Sequence, residues 1–139
     1  MPFEVITSNP GTTYEVEETD SVVLPNGQLF TSSGDGFDAN PSAGFTLSNV
    51  TLQIFGSVFA DGRAIDFWGS LGGVAVYNQN TIFVGATGVV NGTTDGIRAE
   101  SGSDNQILNS GLISGGTGIY SFGGANSVIS NGGTIAGLD

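Results

Sequence analysis

The chain has 139 residues, 38% of them hydrophobic and only 11% charged, too apolar and too weakly charged for a disordered acidic tail and sized for one domain. Thirteen carboxylates face two arginines with no lysine or histidine, and the net charge of −11 leaves no basic surface for nucleic acid or an anionic membrane. No cysteine is present, which excludes disulfides and thiol chemistry, and no apolar stretch approaches the roughly 18 residues of a membrane span.

Residues 1–20 stand apart because they lack the glycine phrase that recurs later. Phe3-Glu4-Val5-Ile6 and Tyr14-Glu15-Val16-Glu17 alternate as strands do, and Asn9-Pro10-Gly11 between them is a turn signal. They are expected to form an N-terminal β cap or docking segment. Met1-Pro2-Phe3-Glu4 has neither the basic start nor the apolar run of a secretory signal.

From residue 21 onward a short phrase recurs five times. Gly27-Gln28-Leu29, Gly56-Ser57-Val58, Gly88-Val89-Val90, Gly111-Leu112-Ile113 and Gly133-Thr134-Ile135 are separated by 29, 32, 23 and 22 residues. Four residues before each glycine stands Val23, Leu52, Val84, Ile107 or Ile129, always aliphatic. Downstream, Gly36-Phe37, Ala64-Ile65, Gly96-Ile97 and Gly118-Ile119 add a small residue followed by an apolar one. Three apolar marks per unit, each in a short alternating stretch, fit one turn of a coil of three short strands. Such a coil cannot bury its marks alone, but stacking like residues over like at about 4.8 Å builds one continuous core. The predicted fold is an all-β, single-domain, three-sided parallel β-solenoid over residues 21–139, of about five coils. Twenty-four glycines suit the corners, where positive φ and close backbone approach are needed.

Placed on this repeat, the charged residues pair. Arg63 lies seven residues after Gly56, and Asp95 seven after Gly88; Asp66 and Arg98 each lie ten after their glycines. Two cross-coil ion pairs are therefore expected, Arg63 with Asp95 and Asp66 with Arg98, whose main value is in setting register. Gly34-Asp35-Gly36-Phe37-Asp38 is the segment that most invites calcium, with Asp35 and Asp38 as the candidate ligands. Neither tandem Gly-rich nonapeptides nor EF-hand spacing accompanies it, and no other cofactor is suggested.

The longest interval between glycine phrases suggests an insertion near 68–80 that leaves the coil as a loop. Trp68 and Tyr77 there are candidates for contact with a sugar or a partner. Enzymatic chemistry is not expected. Asp38 and Asp66 fall in a column with Arg98 and Tyr120, but about five coils make a short groove for a polymer substrate. Asn109 with Asn131, and Asn105 with Asn126, are predicted to stack as amide columns.

Asn109-Ser110-Gly111-Leu112-Ile113 and Asn131-Gly132-Gly133-Thr134-Ile135 carry an Asn-x-Gly-x-Ile phrase. In this the chain resembles bacterial secreted right-handed parallel β-helix proteins, as in autotransporter-like passengers and large adhesins. The resemblance covers residues 22–139 unevenly and implies an extracellular or cell-surface setting, with structural, adhesive or sometimes enzymatic roles. Gly133 to Asp139 supply only the beginning of a coil, so a bare sheet edge is expected there, covered by further chain or by another subunit. The expected function is head-to-tail self-assembly into a fibre or surface layer, with Phe3, Val5, Tyr14, Val16, Ile135 and Leu138 at the interface. The alternative is a carbohydrate-binding or adhesin module of a larger surface protein.

Overall fold

A computed structural model of the chain describes residues 3–39, 46–67, 76–100, 102–122 and 125–138. These hold eighteen strands and no helix. A leading partial coil contains β1 (Phe3–Val5) and β2 (Tyr14–Glu15). The next comprises β3 (Ser21–Leu24), β4 (Leu29–Ser32), β5 (Phe37–Asp38) and β6 (Thr46–Ser48). Then come β7 (Thr51–Ile54), β8 (Ser57–Ala60), β9 (Ile65–Phe67) and β10 (Val76–Asn78). Two shorter coils follow, of β11 (Thr81–Val84), β12 (Val89–Gly92) and β13 (Asp95–Glu100), and of β14 (Gln106–Asn109), β15 (Leu112–Gly115) and β16 (Thr117–Phe122). The last described coil has β17 (Val128–Asn131) and β18 (Thr134–Gly137).

Sheet A runs β1-β3-β7-β11-β14-β17, sheet B β4-β8-β12-β15-β18 and sheet C β2-β5-β9-β13-β16. All these pairings are parallel. Sheet neighbours come from successive turns of chain, so the three sheets are the sides of a parallel β-solenoid of about five coils. The first segment follows the same path. β1 edges sheet A, Gly11 bridges to Ser32 on sheet B and β2 edges sheet C.

Alternation puts every second side chain inside. Val22, Leu52, Ile82, Ile107 and Ile129 are in register on sheet A, with Leu24, Ile54, Val84, Asn109 and Asn131 beside them. Sheet B contributes Phe30, Val58, Val90, Ile113 and Ile135, and sheet C Phe37, Ile65, Ile97 and Ile119. The rings of Phe30 and Phe37 stack at 4.7 Å between centroids, at the corner where sheets B and C converge.

The register corrects three expectations. Counting back from the glycine selects Val23 and Val84, yet Val23 pairs with Gln53 outside the core and Val84 belongs to the second inner column. The A-to-B turn is the reason: residues 25–28 and 85–88 make it four long, where the other coils use two. The supposed insertion is likewise not peculiar to one coil. Ser21, Thr51, Thr81, Gln106 and Val128 are aligned at intervals of 30, 30, 25 and 22 residues, so the first two full coils are equally long. Residues 76–78 do not lie in a loop, because β10 pairs with β6 in a two-stranded ladder that extends both coils. Finally, Asn105 and Asn126 do not share a column. Asn126 aligns with Asp104 at a corner where Thr19, Asn49, Gln79, Asp104 and Asn126 all adopt φ between 57° and 66°.

The glycines serve two ends. Gly27 has φ +80° and open space around it, so the turn itself demands it. Gly111 and Gly133 instead lie against the coil before them: a Cβ at Gly111 would collide with the carbonyl oxygens of Gly88 and Gly85, and one at Gly133 with that of Gly111.

Candidate functional site

Sheet C carries an outward column of Glu15, Asp38, Asp66, Arg98 and Tyr120, in register from coil to coil. Phe37, Ile65, Ile97 and Ile119 alternate with these residues and anchor the strands from inside. Asp35, Arg63 and Asp95 lie at the corner leading into the sheet. The Arg63 backbone N–H donates to Asp35 Oδ1 at 2.7 Å, its Nε to Asp95 Oδ2 at 3.2 Å and its Nη1 to Asp66 Oδ2 at 3.1 Å. Asp35 Oδ2 is 4.0 Å from Nη1.

Arg63 and Asp95, predicted to meet across coils, do so. Asp66 and Arg98 are strand neighbours, with the Arg98 guanidinium carbon 5.6 Å from the Tyr120 ring centroid. The sequence did not show that Arg63 gathers Asp66 from its own coil as well as acids from the coils on either side.

This cluster has more acid than base. Burial, then the charges of Asp66, Asp35 and Glu15, push Asp38 up to about 7 against the pull of Arg63. Burial also lifts Asp66, to about 6, although Arg63 and Arg98 oppose it. At Arg63 burial works against the charge, but Asp66, Asp35 and Asp95 outweigh it and hold the guanidinium protonated. Asp38 Oδ1 and Asp66 Oδ1 are both buried without a hydrogen-bond partner. A buried carboxylate oxygen that no donor reaches disfavours the charged form, the same direction in which both groups are shifted.

The consequence for stability has a definite sign. Asp38 and Asp66 hold protons more tightly when folded than in the unfolded chain, where their pKa is near 3.8. Their contribution is therefore fully present below about pH 4 and is lost as pH rises through about 6 to 7. Thermal unfolding is expected to show a midpoint several degrees lower at about pH 8 than at about pH 5. Asp38→Asn should flatten that slope and raise the midpoint at the higher pH alone. An unchanged slope in this variant would remove the carboxylate pair as its cause.

For calcium, the residues fit poorly. Among the described residues no group of three or more acidic side chains is placed to hold a metal ion. Of the two candidate ligands, Asp35 has Oδ1 on the Arg63 backbone N–H and Oδ2 4.0 Å from its Nη1, while Asp38 stands in the sheet C column beside Asp66.

The residues expected at the ends are divided. Phe3, Val5, Ile135 and Leu138 are exposed. Tyr14 is half-buried against Phe37, and its hydroxyl donates to Glu4 Oε2 at 2.5 Å. Burial, that bond and the charges of Glu4, Asp20 and Glu17 push its pKa up. Val16 is only 5% exposed and belongs to the core, because Val16 N–H donates to Asp38 O and brings its side chain inside; it offers nothing to a partner. Trp68 lies outside the described residues, and the backbone of Tyr77 is in β10 beside Leu47.

Asparagines contribute more to the framework than their spacing suggests. Asn109 Nδ2 donates to Asn131 Oδ1 at 2.8 Å, while the Oδ1 atoms of Asn109 and Asn131 accept from the N–H of Gly111 and Gly133. Asn9 Oδ1 accepts from Gly11 N–H in the same way, so Asn9-Pro10-Gly11 is a further copy of the Asn-x-Gly phrase. Its spacing was a usable signal. Buried Asn80 accepts from Val50 N–H and donates to Leu47 O, and Asn105 one coil on accepts from Asn80 N–H in the same way. Compared with protein-family models, curated proteins and solved structures, the chain matches none.

Proposed function

We propose that the chain is a non-enzymatic structural protein of the bacterial surface that stacks end to end through its solenoid faces into a fibre or layer. One observation carries this reading. Ile129 and Ile135 occupy inner columns that are buried in the preceding coils, yet they are 48% and 36% exposed on the last described coil. A further coil would cover them, whether of additional chain or of a second copy, and we assign it to a second copy. From Asn105 to Leu138 the chain has no charged residue, so the described strands of this face present no carboxylate to a docking partner. The extracellular setting rests on the resemblance carried by the Asn-x-Gly-x-Ile phrase.

The opposite face determines when stacking occurs. Glu4 is in register with Val22, at the head of an inner column, so docking places it over Ile129 of the next copy. Burying that carboxylate opposes assembly, as does repulsion between copies of charge −11. Acidification toward the isoelectric point near 4.1 is therefore expected to promote fibres. Negative-stain electron microscopy across concentration and pH is the test. Fibres lost on Ile129→Glu and formed closer to neutrality by Glu4→Gln are expected, whereas dispersed particles under every condition would sink the proposal.

A further inference from the structure

We propose that the outer face of sheet B around Phe59 binds a neutral saccharide. This is a lateral site, independent of end-to-end stacking. Phe59 is 43% exposed in β8, which is hydrogen-bonded on both sides by β4 and β12 and pinned from within by Val58 and Ala60. Thr31 and Asn91 flank it in register, and Ser114 and Ala136 continue the column, so every other coil places a small or polar side chain where this coil has an aromatic ring. An exposed ring at that point adds nothing to the core.

A shallow groove of about 500 Å³ runs beside it, lined also by Ser33, Asp61 and Thr93. Its polar groups offer both kinds of hydrogen bond. Asn91 Nδ2 donates to Ser114 Oγ at 2.7 Å, leaving the carbonyl oxygen of that amide as an acceptor toward the groove. Asp61 is an exposed carboxylate at the rim, Ser33 contributes a hydroxyl that donates or accepts, and Thr93 Oγ1, which donates to Ala60 O at 3.4 Å, can accept. Thr31 is already engaged, its Oγ1 accepting from Asn9 Nδ2 and its N–H donating to Asn9 Oδ1, which holds that wall in place.

The chemistry of a matching ligand follows. It needs an apolar C–H face to lie on the ring, whose π-face is electron-rich, together with hydroxyls at its edges for Asp61, Asn91 and Thr93. It must lack negative charge, because the only charge lining the groove is a carboxylate and the chain carries −11 overall. Pyranosides without carboxylate or sulfate combine these properties. Leu29 and Leu112 are also exposed on this face, in the neighbouring column, but neither lines the groove, where the ring is set among hydroxyls, an amide and a carboxylate.

The test is amide chemical-shift titration of the full chain with penta- to hexasaccharides of glucose, mannose and N-acetylglucosamine, with an oligogalacturonate as the charged comparison. Saturable shifts confined to residues 31–33, 59–61 and 91–93 are expected from at least one neutral probe, and none from the uronate. Phe59→Ala should weaken that binding by about tenfold or more while leaving the other amide positions unchanged. Leu112→Ala, exposed on the same sheet but outside the groove, should leave it intact. No saturable shift from any neutral probe at millimolar concentration, or equal affinity in Phe59→Ala, would overturn the proposal. So would sugar-independent shifts of the same residues on dilution, which would assign the face to a second copy.

Discussion

Phe37→Ala is expected to lower stability by about 3–5 kcal/mol and the thermal midpoint by roughly 10–20 °C. Phe37 is fully buried in the sheet C column between Tyr14 and Ile65, and its ring contacts those of both Phe30 and Tyr14. Removing it leaves a cavity that the parallel strands cannot close, since each strand is held at the sheet spacing by its neighbours on either side. Val22, also fully buried but smaller, is the comparison: Val22→Ala should cost clearly less. Denaturant unfolding of both variants measures the difference. A Phe37→Ala loss below about 1.5 kcal/mol would show that the coil relaxes around the gap, contrary to a stacked core.

Arg63→Met should be the most damaging change on the surface of the solenoid, at about 3 kcal/mol near pH 8. The methionine keeps the stem but removes the cation that Asp66 and Asp95 share, and both acids are buried. Arg63 itself is partly exposed, with a side-chain exposure of 28%, which places the expected cost at the lower end of the range for broken buried pairs. The deficit should shrink as pH falls toward about 5, because Asp66, lifted to about 6 even beside Arg63, then takes up a proton and ceases to be an uncompensated charge. Asp66→Asn introduced together with Arg63→Met should recover part of the loss at the higher pH. Midpoints of the two single variants and the double variant at both pH values measure this coupling. A deficit independent of pH would assign the role of Arg63 to packing of its stem, not to its charge.

Much of the architecture was legible because stacking forces repetition onto the chain. Ile107 and Ile129, or Ile113 and Ile135, recur at one spacing since each must lie over its predecessor, and the Gly111 and Gly133 that precede the sheet B strands recur because the coil before them leaves no room for a Cβ. Where a coil keeps the same turn length, counting residues finds its partners, as with Arg63 and Asp95. Counting fails where the turn changes. Four-residue turns after Leu24 and Val84 displace the glycine relative to the strands, so Val23 looked like a core residue although its side chain faces outward.

The candidate site was legible only in part. The column of Asp38, Asp66, Arg98 and Tyr120 followed from the repeat, but the convergence of three carboxylates on Arg63 did not, because Asp35 reaches it through a corner whose course no local pattern specifies. Nor does the sequence set Phe59 apart from the other aromatics of the middle of the chain. In the sequence it is one apolar residue among Val58, Phe59 and Ala60, and only the pleat decides that the middle one faces water.

By itself the sequence determined the all-β class, the stacked-coil architecture, the acidic character and the absence of a basic surface, all of which depend on period and composition. Tertiary structure decided what depends on turn length and on which side of the pleat a residue falls: the register, the partial coil made by residues 3–16, the proton-holding pair on sheet C and the exposed ring on sheet B. A parallel solenoid makes this division sharp, because its corners absorb differing numbers of residues while the columns stay in register, as Leu52, Ile82, Ile107 and Ile129 do at spacings of 30, 25 and 22, and no local pattern tells how many residues a corner takes.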